Sequence, residues 1–275
     1  MTASGVAVDA AGRIVLSGTY LAGYELCSDG RTNRAQRVAF IARLGDSGQP
    51  DPGFGGNGVV TLREGPVGPP TPDESGGVYV SAGTPMPCEI SRREAVGYLF
   101  HLDAAGASVA SFGAGGWRTI REDPFLKLLP DGRGSLILLP QIGQWRTNLA
   151  LRRLRPDGSW DRNFGHGSVA EPFPFAKGTL NFTDAGIGGG HIYVSGNWKR
   201  KARGNGAKQR FLLFRLDRHG QLDRRYGVLR TGFGKASMAL SRHLLMTPGN
   251  KPLLLGPVKS PLTNSEGLAL ARFLP

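Results

Sequence analysis

An internal repeat constrains the fold of this chain more than any other feature of its sequence. The segment RLRPDGSWDRNFGHGSV at positions 153–169 closely matches RLGDSGQPDPGFGGNGVV at positions 43–60. A hydrophobic anchor within this segment recurs at intervals of about 60 residues, which is typical of a repeated supersecondary unit. The anchors are Leu44, Leu102, Leu154, Leu216 and Phe273. The 275 residues therefore contain five copies of one unit.

Each unit alternates short apolar runs with glycine-containing turns, a pattern that is typical of β-hairpins. No segment has the 3.6-residue period of an amphipathic helix. We therefore predict four strands per unit, at positions 6–8, 13–17, 39–44 and 59–62 in the first unit. Five such units favour an all-β fold, a five-bladed β-propeller, because radial repetition leaves only short strand edges. We expect one domain over residues 1–275, with blades at approximately 1–62, 63–120, 121–171, 172–232 and 233–275.

The unit is similar to a known family of repeats. GVAVDAAGRIVLSG followed by FIARLGDSGQPDPGFGGNGVVTL resembles the bacterial delta-sixty repeat, and related signatures recur in LPDGRGSLILL and HIYVSG. The resemblance implies a β-propeller whose first strands are innermost, as in NHL repeats, and implies no chemistry because the family is uncharacterised. It also suggests an extracytoplasmic location, whereas the visible N-terminus, MTASGVAVDAAGRIVLSG, carries no signal peptide.

Two copies depart from the repeat. In the second blade the innermost strand falls in GPVGPPTPDESGG, where Pro66, Pro69, Pro70 and Pro72 interrupt it. Proline is tolerated at a free strand edge, so these prolines favour the phase in which that strand faces the channel. The fifth copy ends at residue 275, before any equivalent of GVVTL. We therefore expect the last blade to lack its outermost strand.

Two positions recur inside the units. We expect the aromatic residue of each aromatic–glycine pair to pack between blades rather than to stack on a ligand; these residues are Phe54, Phe112, Phe164 and Tyr226. A basic residue precedes each anchor, and in three units an aspartate follows it, which favours a structural ion pair. The basic residues are Arg43, His101, Arg153, Arg215 and Arg272, and the aspartates are Asp51, Asp161 and Asp223. The second unit has no aspartate to match His101.

The chain is strongly basic, with 34 Lys and Arg against 21 Asp and Glu and a net charge of +13. Nearly half of this excess lies in NWKRKARGNGAKQR, between the second and third strands of the fourth blade. Such a stretch is either a solvated loop or a site for an anionic polymer or surface. The candidate ligand-binding residues are Trp198, Lys199, Arg200, Lys201, Arg203, Lys208 and Arg210. No run of residues has the length of a membrane span, and no specific protein partner or oligomeric state is indicated.

The sequence lacks the motifs of common enzymes. It has no G-x-S-x-G, H-E-x-x-H, P-loop or dinucleotide fingerprint, so we predict no catalytic residue, metal or cofactor. Asp73, Glu74 and Asp184 lie in or beside innermost strands and are candidates for carboxylates at the channel mouth. The favoured function is a non-enzymatic binding or scaffold module. The alternative is a hydrolase or lyase of the lactonase-like propeller type, with its site at the central channel.

The two cysteines, Cys27 and Cys88, fall in corresponding loops of adjacent blades. A disulfide between them would place the protein in an oxidising compartment, whereas two free thiols are the alternative. The sequence does not give the separation of their Cα atoms, so both interpretations stand.

Overall fold

The computed structural model describes residues 1–27, 33–83, 97–120, 127–139, 151–165, 169–170, 179–199, 209–233, 238–259 and 266–273. These residues form β-strands and turns, with no helix among them. The strands are arranged in five four-stranded sheets, and in the first four sheets neighbouring strands follow one another along the chain. The prediction of an all-β protein is therefore confirmed.

The strands are numbered β1 to β20 and the sheets I to V. Sheet I contains β1 (Thr2–Val8), β2 (Ile14–Leu26), β3 (Asn33–Leu44) and β4 (Val59–Glu64). Sheet II contains β5 (Thr71–Pro72), β6 (Val78–Gly83), β7 (Gly97–Leu102) and β8 (Trp117–Ile120). Sheet III contains β9 (Lys127–Pro130), β10 (Leu136–Leu139), β11 (Leu151–Leu154) and β12 (Val169–Ala170). Sheet IV contains β13 (Thr179–Gly188), β14 (His191–Lys199), β15 (Gln209–Leu216) and β16 (Val228–Thr231). Sheet V contains β17 (Met238–Ala239), β18 (His243–Thr247), β19 (Lys251–Lys259) and β20 (Glu266–Arg272).

The hairpin of β2 and β3 is longer than the sequence predicts. Antiparallel pairing continues as far as Leu26 opposite Asn33, past a bulge between Leu21 and Gly23. Most side chains of this extension are exposed. Backbone hydrogen bonds therefore hold it rather than burial, so its residues show no clear alternation of apolar and polar types.

The prolines of the second unit shorten its first strand, as expected. Only Thr71–Pro72 pair regularly with β6. Upstream of them, Val67 forms a single bridge to Ala82, and the Gly68 amide donates to the Ser81 carbonyl at 2.8 Å. The interrupted segment thus still lies along β6, but with fewer hydrogen bonds than the β1–β2 pair of sheet I.

The strands of sheet V occupy three rows in the part of the chain that is described. Both β17 and β18 pair with the same edge of β19, and they lie end to end along it. The other edge of β19 pairs with β20 from Glu266 to Arg272.

The chain divides into two compact units, one of Met1–Leu136 and Leu154–Ser159, the other of Ile137–Arg153 and Trp160–Pro275. In the first unit, Val15 and Ile41 of sheet I and Val78 and Val80 of sheet II pack around Phe54. In the second unit, side chains of sheets IV and V form an equivalent cluster. Burial of these apolar faces is the main source of stability for such sheets.

Three of the four aromatic–glycine pairs connect their sheet to the turn of the next repeat. The side chains of Phe54, Phe112 and Phe164 are completely buried, and Tyr226 is partly buried. The following glycine donates its backbone amide to a carbonyl in the next copy. These hydrogen bonds run from Gly55 to Ala105 (2.9 Å), from Gly113 to Asp157 (2.9 Å) and from Gly165 to His219 (2.6 Å). The predicted packing role of the aromatics is confirmed for the three phenylalanines.

Glycine is required at these positions for two reasons. Gly113 has a φ of 59°, in the left-handed region that other residues rarely adopt. A Cβ atom on Gly113 would also collide with the carbonyl oxygen of Trp117, and one on Gly55 would collide with that of Val59. The repeated turn therefore depends on the absence of a side chain.

Candidate functional site

Three of the basic residues form the ion pairs that the repeat predicts. The Nε atom donates to Oδ2 of the aspartate eight residues later, at 2.8 Å for Arg43–Asp51, 2.7 Å for Arg153–Asp161 and 3.0 Å for Arg215–Asp223. Each guanidinium also lies 4.5 to 4.9 Å from the ring centroid of the repeat aromatic. The hydrogen bond from Arg215 lowers the pKa of Asp223. These residues are therefore structural clusters, in which the cation is already bound by its own chain.

Sheet II replaces both members of the pair. His101 occupies the position of the arginine and Val109 that of the aspartate, as the backbone hydrogen bonds show. The Val109 amide donates to the His101 carbonyl at 3.0 Å, and the Asp51 amide donates to the Arg43 carbonyl at 2.9 Å. With no carboxylate at position 109, His101 pairs elsewhere.

The partner of His101 is Asp73, in the turn between β5 and β6. Nε2 of His101 lies 2.8 Å from Oδ2 of Asp73. The other carboxylate oxygen of Asp73 accepts hydrogen bonds from the amides of Ser75 and Gly77, both at 2.8 Å. The imidazole stacks on Tyr79, with ring centroids 3.9 Å apart. Nδ1 of His101 is buried and has no hydrogen-bond partner in the described part of the chain.

This environment changes two pKa values. Burial tends to raise the pKa of Asp73, but the hydrogen bonds from His101, Ser75 and Gly77 outweigh it and lower the pKa to about 2. Burial, together with the negative charges of Asp73 and Asp131, raises the pKa of Tyr79 to about 12. Asp73 is therefore charged and Tyr79 is neutral at physiological pH.

A cavity of about 360 Å³ opens beside this group, and we call it the Asp73 cavity. Its walls come from the β5–β6 turn, from β6 and β7, from the segment between β7 and β8, from the β9–β10 turn and from Pro156. Its lining includes Asp73, Glu74, Tyr79, His101, Val109 and Gly134. Glu74 lies across from Gly132, where a Cβ atom would stand 2.8 Å from its Oε1. The two predicted carboxylates, Asp73 and Glu74, thus share one cavity. The sequence did not predict that His101 and Tyr79 would line the same cavity.

Asp184 is not part of this cavity. It lies in β13, in the second compact unit, and only 6% of its surface is exposed. Its Oδ2 accepts the amide of Leu244 at 2.7 Å, which links sheet IV to sheet V. Within the described ranges, no group of three or more His, Cys, Asp or Glu side chains is placed to hold a metal ion. Of the three channel-mouth candidates, Asp73 and Glu74 therefore line one cavity, whereas Asp184 has a structural role.

The described residues of the basic stretch lie at one end of sheet IV. Trp198 of β14 pairs with Arg210 of β15, and Lys199 pairs with Gln209. Arg230 of β16 pairs with Leu212, so Trp198, Arg210 and Arg230 project from the same face of the sheet. The Arg230 guanidinium lies 4.8 Å from the Trp198 ring centroid. The remaining candidates Arg200, Lys201, Arg203 and Lys208 lie outside the described residues.

One face of Trp198 is therefore covered by an arginine. A cation on the indole face occupies the surface on which a sugar or a base would stack. The tryptophan thus holds Arg230 in place beside Arg210. We call Trp198, Lys199, Arg210 and Arg230 the cationic end of sheet IV.

Cys27 is 5% exposed and is disulfide-bonded. Cys88 lies outside the described residues, so the pairing of Cys27 with Cys88 stays a prediction.

No family model matches the chain, and no curated protein matches it. A glucose dehydrogenase is 13% identical, with a TM-score of 0.44 over 96% of this chain and 82% of that one. The subtype N11 neuraminidase-like protein of a flat-faced bat isolate is 9% identical, with a TM-score of 0.42 over 99% and 87%. The WD40 domain of SCAP from fission yeast is 7% identical, with a TM-score of 0.30 over 99% and 77%. Because these TM-scores are below 0.5, no function is carried over from these proteins.

The described strands and turns include no helix that is long and apolar enough to cross a membrane.

Proposed function

We propose that this protein is a non-enzymatic binding module that holds an anionic polymer or surface through the cationic end of sheet IV. The observation that carries the proposal is the placement of Arg210 and Arg230 on one face, beside Trp198. Both arginine residues are exposed. Arginine is well suited to phosphate, sulfate and carboxylate groups because its planar guanidinium donates two parallel hydrogen bonds.

The hairpin of β14 and β15 carries charges of one sign. From His191 to Leu216 the sequence contains no Asp or Glu. The four basic candidates outside the described residues belong to the segment that joins Lys199 to Gln209. A concentrated positive potential attracts a polyanion over a distance of about 8 Å at physiological ionic strength.

The scaffold that we propose is a single domain of five blades, with sheets I to V as the blades. The five four-stranded sheets and the hydrogen bond that recurs at three of the four aromatic–glycine pairs support this arrangement. In the described part of sheet V, the three rows of strands support a fifth blade that lacks its outermost strand. Propellers present their loops as binding surfaces on a rigid framework, which suits a charged hairpin end.

The hydrolase or lyase alternative has less support. The Asp73 cavity contains an aspartate–histidine pair, but no described hydroxyl lies within hydrogen-bond distance of the free His101 Nδ1. A nucleophile activated by His101 would need such a hydroxyl within reach.

Retention on heparin and on single-stranded nucleic acid, measured against ionic strength, tests the proposal. We compare Lys199→Ser/Arg210→Ser with the control Arg224→Ser/Arg225→Ser, which removes the same charge from two exposed arginines in the turn before β16. The Lys199→Ser/Arg210→Ser variant should elute at a lower salt concentration than the wild type. The slope of log affinity against log salt should fall by about 1 for each phosphate or sulfate group that is no longer bound. The control should elute close to the wild type.

The full replacement of Lys199, Arg200, Lys201, Arg203, Lys208 and Arg210 by Ser or Gln should abolish most of the retention. Equal salt elution of this variant and the wild type would refute the proposal. So would an equal effect of the two double variants, because binding would then follow net charge alone.

A further inference from the structure

The position that Arg43 fills in sheet I is built to hold a planar cation. Its side chain is 2% exposed. Nε donates to Asp51 at 2.8 Å and one terminal nitrogen donates to the Gly76 carbonyl at 3.3 Å. The guanidinium lies 4.6 Å from the centroid of Phe54. A carboxylate, a carbonyl oxygen and an aromatic ring together surround the cation.

The same backbone position in sheet II carries a shorter side chain. His101 replaces the arginine, and Val109 replaces the aspartate at the hydrogen-bonded position eight residues later. An imidazole does not reach as far as a guanidinium, and a valine supplies no carboxylate. The Asp73 cavity lies beside both replacements, with His101 and Val109 in its wall. Gly134, the counterpart of Gly76 in the next copy's turn, lines it as well.

The charge of the cavity favours a cation. Asp73 and Glu74 are acidic, and none of its lining residues is Lys or Arg. Asp131 adds a third negative charge close enough to raise the pKa of Tyr79. His101 is the one basic lining residue, and its Nε2 is already bonded to Asp73.

We propose that the Asp73 cavity binds a small guanidinium compound, beside the position that the repeat elsewhere fills with its own arginine. The volume of about 360 Å³ lies in the lower part of the range for small-molecule pockets, so the cavity has room for a guanidinium group. The planar ion donates in several directions at once, toward the Glu74 carboxylate and the carbonyl groups of the β9–β10 turn. This binding is independent of the cationic end of sheet IV, which lies on a different sheet and has the opposite charge.

The direct test is a titration of the full chain with methylguanidinium chloride, followed by NMR through the backbone amides of Ser75, Gly134 and Ser135. We expect saturable shifts with a Kd in the range of about 1 mM, as is usual for so small a ligand. Methylammonium chloride at the same ionic strength should bind at least about threefold more weakly, because a compact ammonium does not reproduce the planar donor set. Sodium chloride should give no saturable change.

Two variants locate the binding. His101→Arg/Val109→Asp restores the pair of sheet I and fills the cavity from within, so it should weaken methylguanidinium binding at least about tenfold. Glu74→Gln changes one exposed side chain and leaves the packing of β6 and β7 intact. It should weaken binding several-fold, and it provides the test if the double variant does not fold. Asp46→Asn, which removes the same charge from an exposed residue in the turn after β3 of sheet I, is the charge control and should leave the affinity unchanged.

The proposal is wrong if the wild type shows no saturable shifts with methylguanidinium. It is also wrong if Glu74→Gln binds as tightly as the wild type, because the cation would then lie outside the cavity.

Discussion

Replacement of Asp73 by asparagine should expose the energetic role of the Asp73–His101 pair. The asparagine side chain has nearly the same shape, and its carbonyl oxygen can still accept from the amides of Ser75 and Gly77. What the substitution removes is the negative charge next to His101, whose Nε2 is 2.8 Å away. Each unit by which folding lowers the pKa of a carboxyl group corresponds to about 1.4 kcal/mol of folding free energy. The fall of the Asp73 pKa from 3.8 to about 2 therefore corresponds to about 2 kcal/mol of folding free energy.

The sign of the pH dependence follows from the direction of this change. Because the folded pKa is lower than the unfolded one, the stabilisation is fully present above pH 3.8 and is lost as the pH falls toward about 2. Asp73→Asn lacks this titration. Asparagine keeps the bonds from Ser75 and Gly77, which supply part of the shift. The difference in unfolding free energy between wild type and variant should therefore be at most about 2 kcal/mol at neutral pH and should narrow steadily below about pH 4.

Urea unfolding followed by circular dichroism, at several pH values between about 6 and 2.5, measures this difference. Asp103→Asn is the matched control, because Asp103 makes the same turn hydrogen bonds, to the amides of Ala105 and Ala107 at 2.8 and 2.9 Å. No ion pair of Asp103 is present among the described residues, so the control should cost less than about 0.5 kcal/mol. A difference that stays constant from neutral to acidic pH, or an equal cost of the two substitutions, would refute the reasoning.

Two further predictions concern the backbone and the cysteines. Gly113→Ala should destabilise the fold by at least about 2 kcal/mol, because the new Cβ would collide with the Trp117 carbonyl and the alanine would also be strained at a positive φ. Gly12 has a φ of 82° but open space around it, so Gly12→Ala should lower the free energy of unfolding in urea by only about 1 kcal/mol. Equal costs of the two substitutions would contradict the steric argument. Titration of the denatured, non-reduced chain should detect no free thiol, since Cys27 is disulfide-bonded and Cys88 is the sole other cysteine. Two thiols per chain would exclude the intrachain bridge.

Local sequence signals predicted the repeating parts of this protein. The alternation of apolar runs with glycine turns determines which segments pair as neighbouring strands, because such pairs need only short connections. The eight-residue spacing from Arg43 to Asp51 predicted their ion pair, since both residues lie in one turn region and three of the five copies repeat the geometry. The prolines before Asp73 likewise predicted an interrupted strand, because proline cannot donate to the ladder.

The tertiary structure alone determined which residues contact each other where the repeat pattern is broken. The sequence shows that His101 lacks its aspartate, but the residue that replaces it, Asp73, comes 28 positions earlier and reaches it only when β5, β6 and β7 lie side by side. The Asp73 cavity combines this pair with Gly134 from the next turn, and the bond from Leu244 to Asp184 spans 60 residues. Periodicity in a sequence reports which face of a strand is buried, whereas the contacts of an isolated polar residue depend on how separate sheets and turns pack, and that information is not local.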